Sequence, residues 1–378
     1  MTLHIGLLAA DLTQRHGWAH YSLSVARALQ RAGAQVTIVT TTNSPQPTGL
    51  DALPLLPTVD PLEGGLLLKQ FARLPRARRA LADCDIIHAA IEPFAPLAAA
   101  LAGRRPLFVT GHGSYVRIAQ QRRFPASAIY QWALRRARLV CVSRYTASEA
   151  QRLLPGVETI VINNGIDAER FATLPPLTEP KRGPTVLSVG AVKARKGTLE
   201  LVRALAVVRR QLPTVQGVFI GDLEADPEYV TQVRQEIDAL GLTDCVHLLG
   251  RRADEALLAW YGAADAFVLP ARSNDWKFEG FGLALLEASA AGLPVIGATG
   301  SGVEDAIDDG VTGLLVPHDQ LETALPEAIL RVLGDPALAR AFGAAGRAKA
   351  HAQTWDAVAV QLIARYEAAL NLGQASPC

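Results

Sequence analysis

Short apolar runs rich in Val, Ile and Leu alternate along the chain with longer stretches of helical period, which predicts βα units built on parallel sheets. The strand-like runs of the first half are "HIGLLAA", "QVTIVTT", "DIIHAA", "PLFVTGHG", "LVCVS" and "TIVINNG", with helices between them such as residues 22–32 and 126–136. The series then starts again with "TVLSVGAV", "VQGVFIGD", "CVHLLG", "AFVLPA", "PVIGAT" and "GLLVP". An α/β fold follows, with two Rossmann-like, doubly wound domains at residues 1–170 and 171–353. Between them, in residues 167–184, prolines and charges replace the periodicity. The last segment, 354–378, reads as an amphipathic helix that crosses back to the first domain. Two such sheets would face a central cleft with their carboxyl ends, so functional residues are sought just after strands.

The length of 378 residues suits two domains, and 49% hydrophobic residues give each a core. No apolar run reaches the ~18 residues of a membrane span, and the N-terminus lacks a basic region with a cleavage site, so a cytoplasmic protein is expected. Cys84, Cys141, Cys245 and Cys378 stand too far apart for a disulfide framework or a zinc site and are read as reduced and structural. The net charge of +1 hides an asymmetry. Residues 1–170 hold 19 Lys/Arg against 11 Asp/Glu, and the remainder 18 against 25. The basic half, above all "LKQFARLPRARRALAD" at 68–83, could touch an anionic membrane from its inner face, while no nucleic-acid partner is expected.

The densest chemistry lies in "DWKFEGFGLALLEASAAG", where Glu279 and Glu287 flank a Gly-Phe-Gly turn and a helix start. Glycines let the backbone approach a ligand, and first-turn N–H groups near residues 281–284 suit a phosphate. Glu287, one turn on, could accept hydrogen bonds from a vicinal diol such as ribose. Glu279 would then meet a sugar on the other side of the phosphate. A second loop, "GAVKARKGTLE", puts Lys193, Arg195 and Lys196 in a strand-to-helix turn, which suits a diphosphate leaving group. A third, with Gly297, Gly300 and Gly302, could offer further N–H groups. In the first half, Gly17 follows a strand and precedes a helix, and His112 ends a strand between two glycines.

Taken together, "GWAHYSLSVARALQRAGAQVTIVT", "VTGHG", "VINNGIDAERF", "LSVGAVKARKG", "EGFGLALLEASAAGLPVIG" and "GVTGLLVP" resemble the family 4 retaining glycosyltransferases of GT-B fold, in order and spacing over nearly the whole chain. The resemblance implies sugar transfer from a UDP- or GDP-sugar to an acceptor hydroxyl with retention at the anomeric carbon. It further implies a glycolipid, polysaccharide or small-molecule acceptor, a nucleotide sugar that is a substrate rather than a cofactor, and no metal requirement. Carried over by position, Glu279 contacts the donor sugar and Glu287 the ribose, while Gly280, Phe281, Gly282 and Leu283 surround the phosphates. Lys196 matches the family's diphosphate lysine, His112 a histidine near the transferred sugar, and Gly17 a mobile glycine loop. One departure is Ala191, where many members carry arginine, so Lys193 or Arg195 would supply the second cation.

Two other enzyme classes compete. A sugar-nucleotide epimerase of the same fold would need more acid and base groups in the cleft. A dinucleotide-dependent oxidoreductase would need a GxGxxG after the first strand, where the chain reads "LLAADLTQRHGW".

Overall fold

The computed structural model describes residues 2–13, 17–60, 63, 65–274 and 276–374. They form two compact units, the first running to Gly165 and joined by the C-terminal segment from Trp355, the second being Ile166–Thr354. Each is an α/β layer structure around one parallel sheet.

The first sheet has seven strands: β1 (His4–Leu8), β2 (Gln35–Thr41), β3 (Ala52–Leu56), β4 (Ile86–Ala89), β5 (Leu107–Gly111), β6 (Arg138–Cys141) and β7 (Thr159–Val161), in the order β3-β2-β1-β4-β5-β6-β7. The second has six: β8 (Thr185–Val189), β9 (Gln216–Ile220), β10 (Val246–Gly250), β11 (Ala266–Leu269), β12 (Val295–Ala298) and β13 (Gly313–Val316), in the order β10-β9-β8-β11-β12-β13. All recorded strand pairs are parallel. Central strands such as β4 and β11 are buried at every position, as strands covered by helices on both faces must be.

Twelve of these strands correspond to the apolar runs read from the sequence, and β3 does not. Its "ALPLL" carries Pro54 in the middle, which cannot donate to a ladder and is tolerated only because β3 is the sheet edge. The helix expected at 22–32 begins earlier, as Gly17–Arg31. The basic stretch at 68–83 forms two short helices, Leu66–Phe71 and Leu74–Ala80. The last helix, Trp355–Gln374, packs against Gly17–Arg31 in the first unit.

Both sheets reverse their strand order between the first and fourth strands of the unit, β1/β4 and β8/β11. In open α/β sheets such a reversal is where ligands bind, outside the carboxyl ends of the strands. The loops after these strands therefore carry the candidate residues.

Candidate active site

In the second unit the two strands at the reversal each deliver half of a charged cluster. After β8 the chain turns through Gly190 (φ 139°) into a short 3-10 turn, Ala194–Lys196, and Gly197 then starts the helix Thr198–Arg209 in the left-handed region, φ 70°. A methyl group on Gly197 would overlap the carbonyl of Pro270, so this turn is built tight against the exit of β11. The Arg272 N–H donates to the Arg195 carbonyl at 2.9 Å and fixes the same approach.

After β11 the segment around Glu279 is anchored by two buried rings, Phe278 and Phe281, and enters the helix Leu283–Ala291 through Gly282 at φ 88°. Burying these rings leaves Glu279 only 9% exposed. One carboxylate oxygen, Oε2, takes both cations of the other loop: the Lys196 ammonium at 3.0 Å and the Arg195 guanidinium. Burial alone would raise this carboxyl, but Arg195 and then Lys196 outweigh it and hold Glu279 below the usual carboxylate range. Burial lowers the Lys196 ammonium against the pull of Glu279, as expected of a cation taken out of water. Glu279 is thus an anion at neutral pH, sharing two cations.

Glu287 lies one turn into the same helix and accepts a hydrogen bond from the Tyr261 hydroxyl at 2.8 Å. Burial raises its carboxyl, while Tyr261, Arg170 and Lys196 act in the opposite sense. Lys196 therefore feels both glutamates. Of the two candidates for the second cation, Arg195 joins this cluster. The Lys193 ammonium is lowered by burial and by its neighbours Arg195 and Lys277.

The third glycine loop behaves differently from its sequence reading. Gly297 lies inside β12, the Gly300 N–H donates to Glu304 Oε1 at 2.6 Å, and the Gly302 N–H donates to the Glu279 carbonyl at 2.8 Å. Its amides brace the site rather than pointing out of it. Gly280, Phe281, Gly282 and Leu283 do lead into the helix start, with the Phe281 side chain spent on the core.

The first unit holds Gly17 and His112. Gly17 is the first residue of its helix, is exposed, and would accept a methyl group without contact. Residues 14–16 of the expected glycine loop lie outside the described residues, as does Cys378. His112 follows β5. Its Nε2 donates to the Ala90 carbonyl at 2.7 Å, its N–H donates to Glu92 Oε1 at 2.7 Å, and its ring stands edge-on to Tyr21. Burial lowers its imidazole to about 4, so it is neutral. Beneath it runs a buried chain in which Tyr21 pairs with Thr110 (3.0 Å), Thr110 with His88 Nε2 (2.8 Å) and His88 Nδ1 with Tyr366 (2.5 Å).

Comparison with known proteins decides what this arrangement belongs to. The family model "Glycosyl transferases group 1" matches residues 170–349, and "Glycosyltransferase Family 4" matches residues 16–170. The chain is 31% identical over 308 residues to the GDP-mannose-dependent alpha-(1-6)-phosphatidylinositol monomannoside mannosyltransferase of Mycobacterium tuberculosis (strain CDC 1551 / Oshkosh), covering 76% of this chain and 77% of that one. The chain belongs to the family 4 glycosyltransferases. Phosphatidyl-myo-inositol mannosyltransferase of the same strain is 29% identical, with 77% of this chain and 75% of that one covered. Among solved structures, sucrose-phosphate synthase from Thermosynechococcus elongatus superposes with a TM-score of 0.78 at 26% identity, over 99% of this chain and 100% of that one. The fold is accordingly GT-B, and the protein is a glycosyltransferase.

Three residues that the fold places beside the candidate site residues escape a sequence reading: Tyr261, Glu92 and His88. Tyr261 sits in "WYGAAD", indistinguishable from an ordinary apolar helix face until the fold brings it to Glu287. Glu92 had a signal of its own, a carboxylate just past a strand at the topological reversal. Among the described residues, Cys84, Cys141 and Cys245 are free and buried, and no group of three or more His, Cys, Asp or Glu side chains is placed to hold a metal ion. No described helix is long and apolar enough to cross a membrane.

Proposed function

We propose that this glycosyltransferase moves a hexosyl group, mannose in the first instance, from a nucleoside-diphosphate sugar to a hydroxyl of a glycolipid acceptor of the phosphatidylinositol type, with retention at the anomeric carbon. The observation that carries the reading is Glu279 held between Arg195 and Lys196. The first relative named above, a GDP-mannose-dependent enzyme, favours GDP-mannose over a UDP-sugar, and both relatives favour a phosphatidylinositol-type acceptor.

The donor's diphosphate takes the two cations, which stabilise the charge that develops on the leaving phosphate. Glu279, released from them, turns to the hydroxyls of the transferred sugar. Glu287, steadied by Tyr261, accepts from the ribose diol. A carboxylate held ionised by two cations is a poor proton donor. This favours a reaction on one face of the sugar, in which the departing phosphate oxygen takes the proton of the acceptor hydroxyl. His112 gives the sugar a neutral imidazole, and no metal is assigned a part.

Turnover of GDP-mannose and UDP-sugars with phosphatidylinositol acceptors, read by release of nucleoside diphosphate and by NMR of the product's anomeric proton, tests this. Epimerisation of the donor without nucleotide release would overturn it in favour of an epimerase. Glu287→Ala should abolish the thermal shift caused by donor, and an unchanged shift would remove the ribose role.

A glycolipid acceptor calls for peripheral membrane contact. The helices Leu66–Phe71 and Leu74–Ala80 support it: Leu68 is 79% exposed, and Lys69, Arg73 and Arg76 border an open hollow of about 550 Å³. Sedimentation with phosphatidylinositol-containing vesicles at low salt should carry the protein down. Failure to sediment would refute the contact and leave the transfer reaction standing.

A further inference from the structure

His112 is clamped twice by the chain that follows β4. The Ala90 carbonyl takes the Nε2–H of its ring, and the carboxyl of Glu92 takes its main-chain N–H, both at 2.7 Å. The Gly113 amide also faces this carboxyl, and Gly113 has φ 138°, a conformation that favours glycine. Glu92 is wholly buried, in a 3-10 turn whose Pro93 carbonyl receives the Gln70 amide at 3.0 Å and the Tyr130 hydroxyl at 3.2 Å. The turn is therefore fixed from two directions, and its carboxyl reaches across to β5's exit as a rigid strut.

We propose that Glu92 is a positioning residue for the transfer reaction: it locks the main chain at His112 and Gly113 so that the imidazole keeps one orientation and one tautomer, with Nε2–H on Ala90 and Nδ1 left as the acceptor. This deepens the glycosyltransferase reading and rests on it, through His112. Burial pushes the Glu92 carboxyl up to about 8, against the amides that favour its ionised form, so near neutral pH it is mostly a carboxylic acid. The titratable groups around it are uncharged there too. His112 and His88 are lowered by burial to about 4 and about 3, and the Cys141 thiol on β6 is pushed up by burial and by Glu92. Above pH 8 a buried negative charge would appear beneath His112 with only main-chain amides to offset it, which strains the turn that holds the peptide, while the imidazole stays neutral.

The test uses the full chain with Glu92→Gln and Glu92→Leu. Gln keeps a carbonyl oxygen for the His112 N–H and has no charge to gain. It should retain kcat within about threefold and lack the fall in kcat expected of the wild type above pH 8. Leu removes the acceptor and should lose about 10- to 100-fold in kcat, with donor KM unchanged, on the scale of a misplaced catalytic group. His112→Ala serves as the control on the reading beneath: if it keeps full activity, the role of His112 fails, separately from the geometry of Glu92. A second readout is independent of turnover. Long-range ¹H–¹⁵N spectra should report His112 as the Nε2–H tautomer in the wild type and in Glu92→Gln, and as a mixture in Glu92→Leu. The proposal is overturned by a folded Glu92→Leu with wild-type kcat and tautomer, by Glu92→Gln as impaired as Glu92→Leu, or by the same alkaline fall in Glu92→Gln as in the wild type.

Discussion

Replacing Glu279 by Gln should make the enzyme bind its product better and turn over worse. The Glu279 carboxylate occupies the two cations that the proposed reading gives to the diphosphate, so on that reading every binding event exchanges one anion for another. At the 3.0 Å between Lys196 Nζ and Glu279 Oε2, two unit charges attract by about 5 to 6 kcal/mol at an effective dielectric of ~20. Most of that gross figure is offset by desolvation, and Arg195 is about a third exposed, which screens its share further. Charged hydrogen bonds of this kind leave a net of about 1.5 to 3 kcal/mol. Gln competes for the cations with a neutral oxygen only, so GDP should bind roughly 10- to 100-fold more tightly to Glu279→Gln. Its kcat should fall because the sugar loses its carboxylate and the product leaves slowly. Calorimetric titration of GDP at 0.15 M salt, beside steady-state turnover, reads both. If GDP binds Glu279→Gln no more tightly than the wild type, the cations are not exchanged between carboxylate and diphosphate, and the reasoning fails.

Tyr261→Phe removes the 2.8 Å bond that steadies Glu287 and should raise donor KM about tenfold with kcat little changed; an unaltered KM would show that Glu287 needs no such partner. Gly197→Ala needs a left-handed residue and a methyl inside the Pro270 carbonyl, so thermal unfolding should show a loss of at least 1–2 kcal/mol along with weaker donor binding, whereas Gly17→Ala, which meets nothing, should leave stability unchanged. Glu92 carries a pH signature in stability as well as in rate. Its folded value of about 8 lies above its ordinary 4.5, so the folded state holds the extra proton between these limits, and stability is full below about 4.5 and declines as pH rises to about 8. Denaturant melts of Glu92→Gln across that window should be flatter than those of the wild type by a few kcal/mol, and parallel curves would contradict the raised carboxyl.

What the sequence made legible was local. Twelve strands announced themselves because buried parallel strands are unbroken apolar runs, and β3 did not because a proline-bearing edge strand looks like a loop. The Glu279 segment and the lysine–arginine turn stood out because glycines, carboxylates and cations are packed into a few residues after a strand. That these two segments, 84 positions apart for Arg195 and Glu279, meet at one carboxylate oxygen is a product of the strand order, β8 beside β11. The partners of Glu287 and His112 were hidden for the same reason: Tyr261 is 26 positions from the one and Glu92 20 from the other, with no local pattern joining them. The loop with Gly297, Gly300 and Gly302 misled in the opposite sense, since a glycine-rich turn says nothing about whether its amides are already bonded.

The Tyr366 hydroxyl that closes on His88 comes from 278 positions further along the chain, with the whole second unit between them. During synthesis the ribosome must add about 200 residues after Gly165 before this tyrosine exists, a delay of roughly 10–40 s at 5–20 residues per second. Through that interval the sheet of the first unit stands with His88 Nδ1 short of its Tyr366 partner and its flank beside the helix Gly17–Arg31 uncovered, while the strands of the second unit are already made. The helix Trp355–Gln374 is thus the closing step of a unit whose sheet was made before the second unit, and shortening it would strand a nascent chain whose second unit is already made.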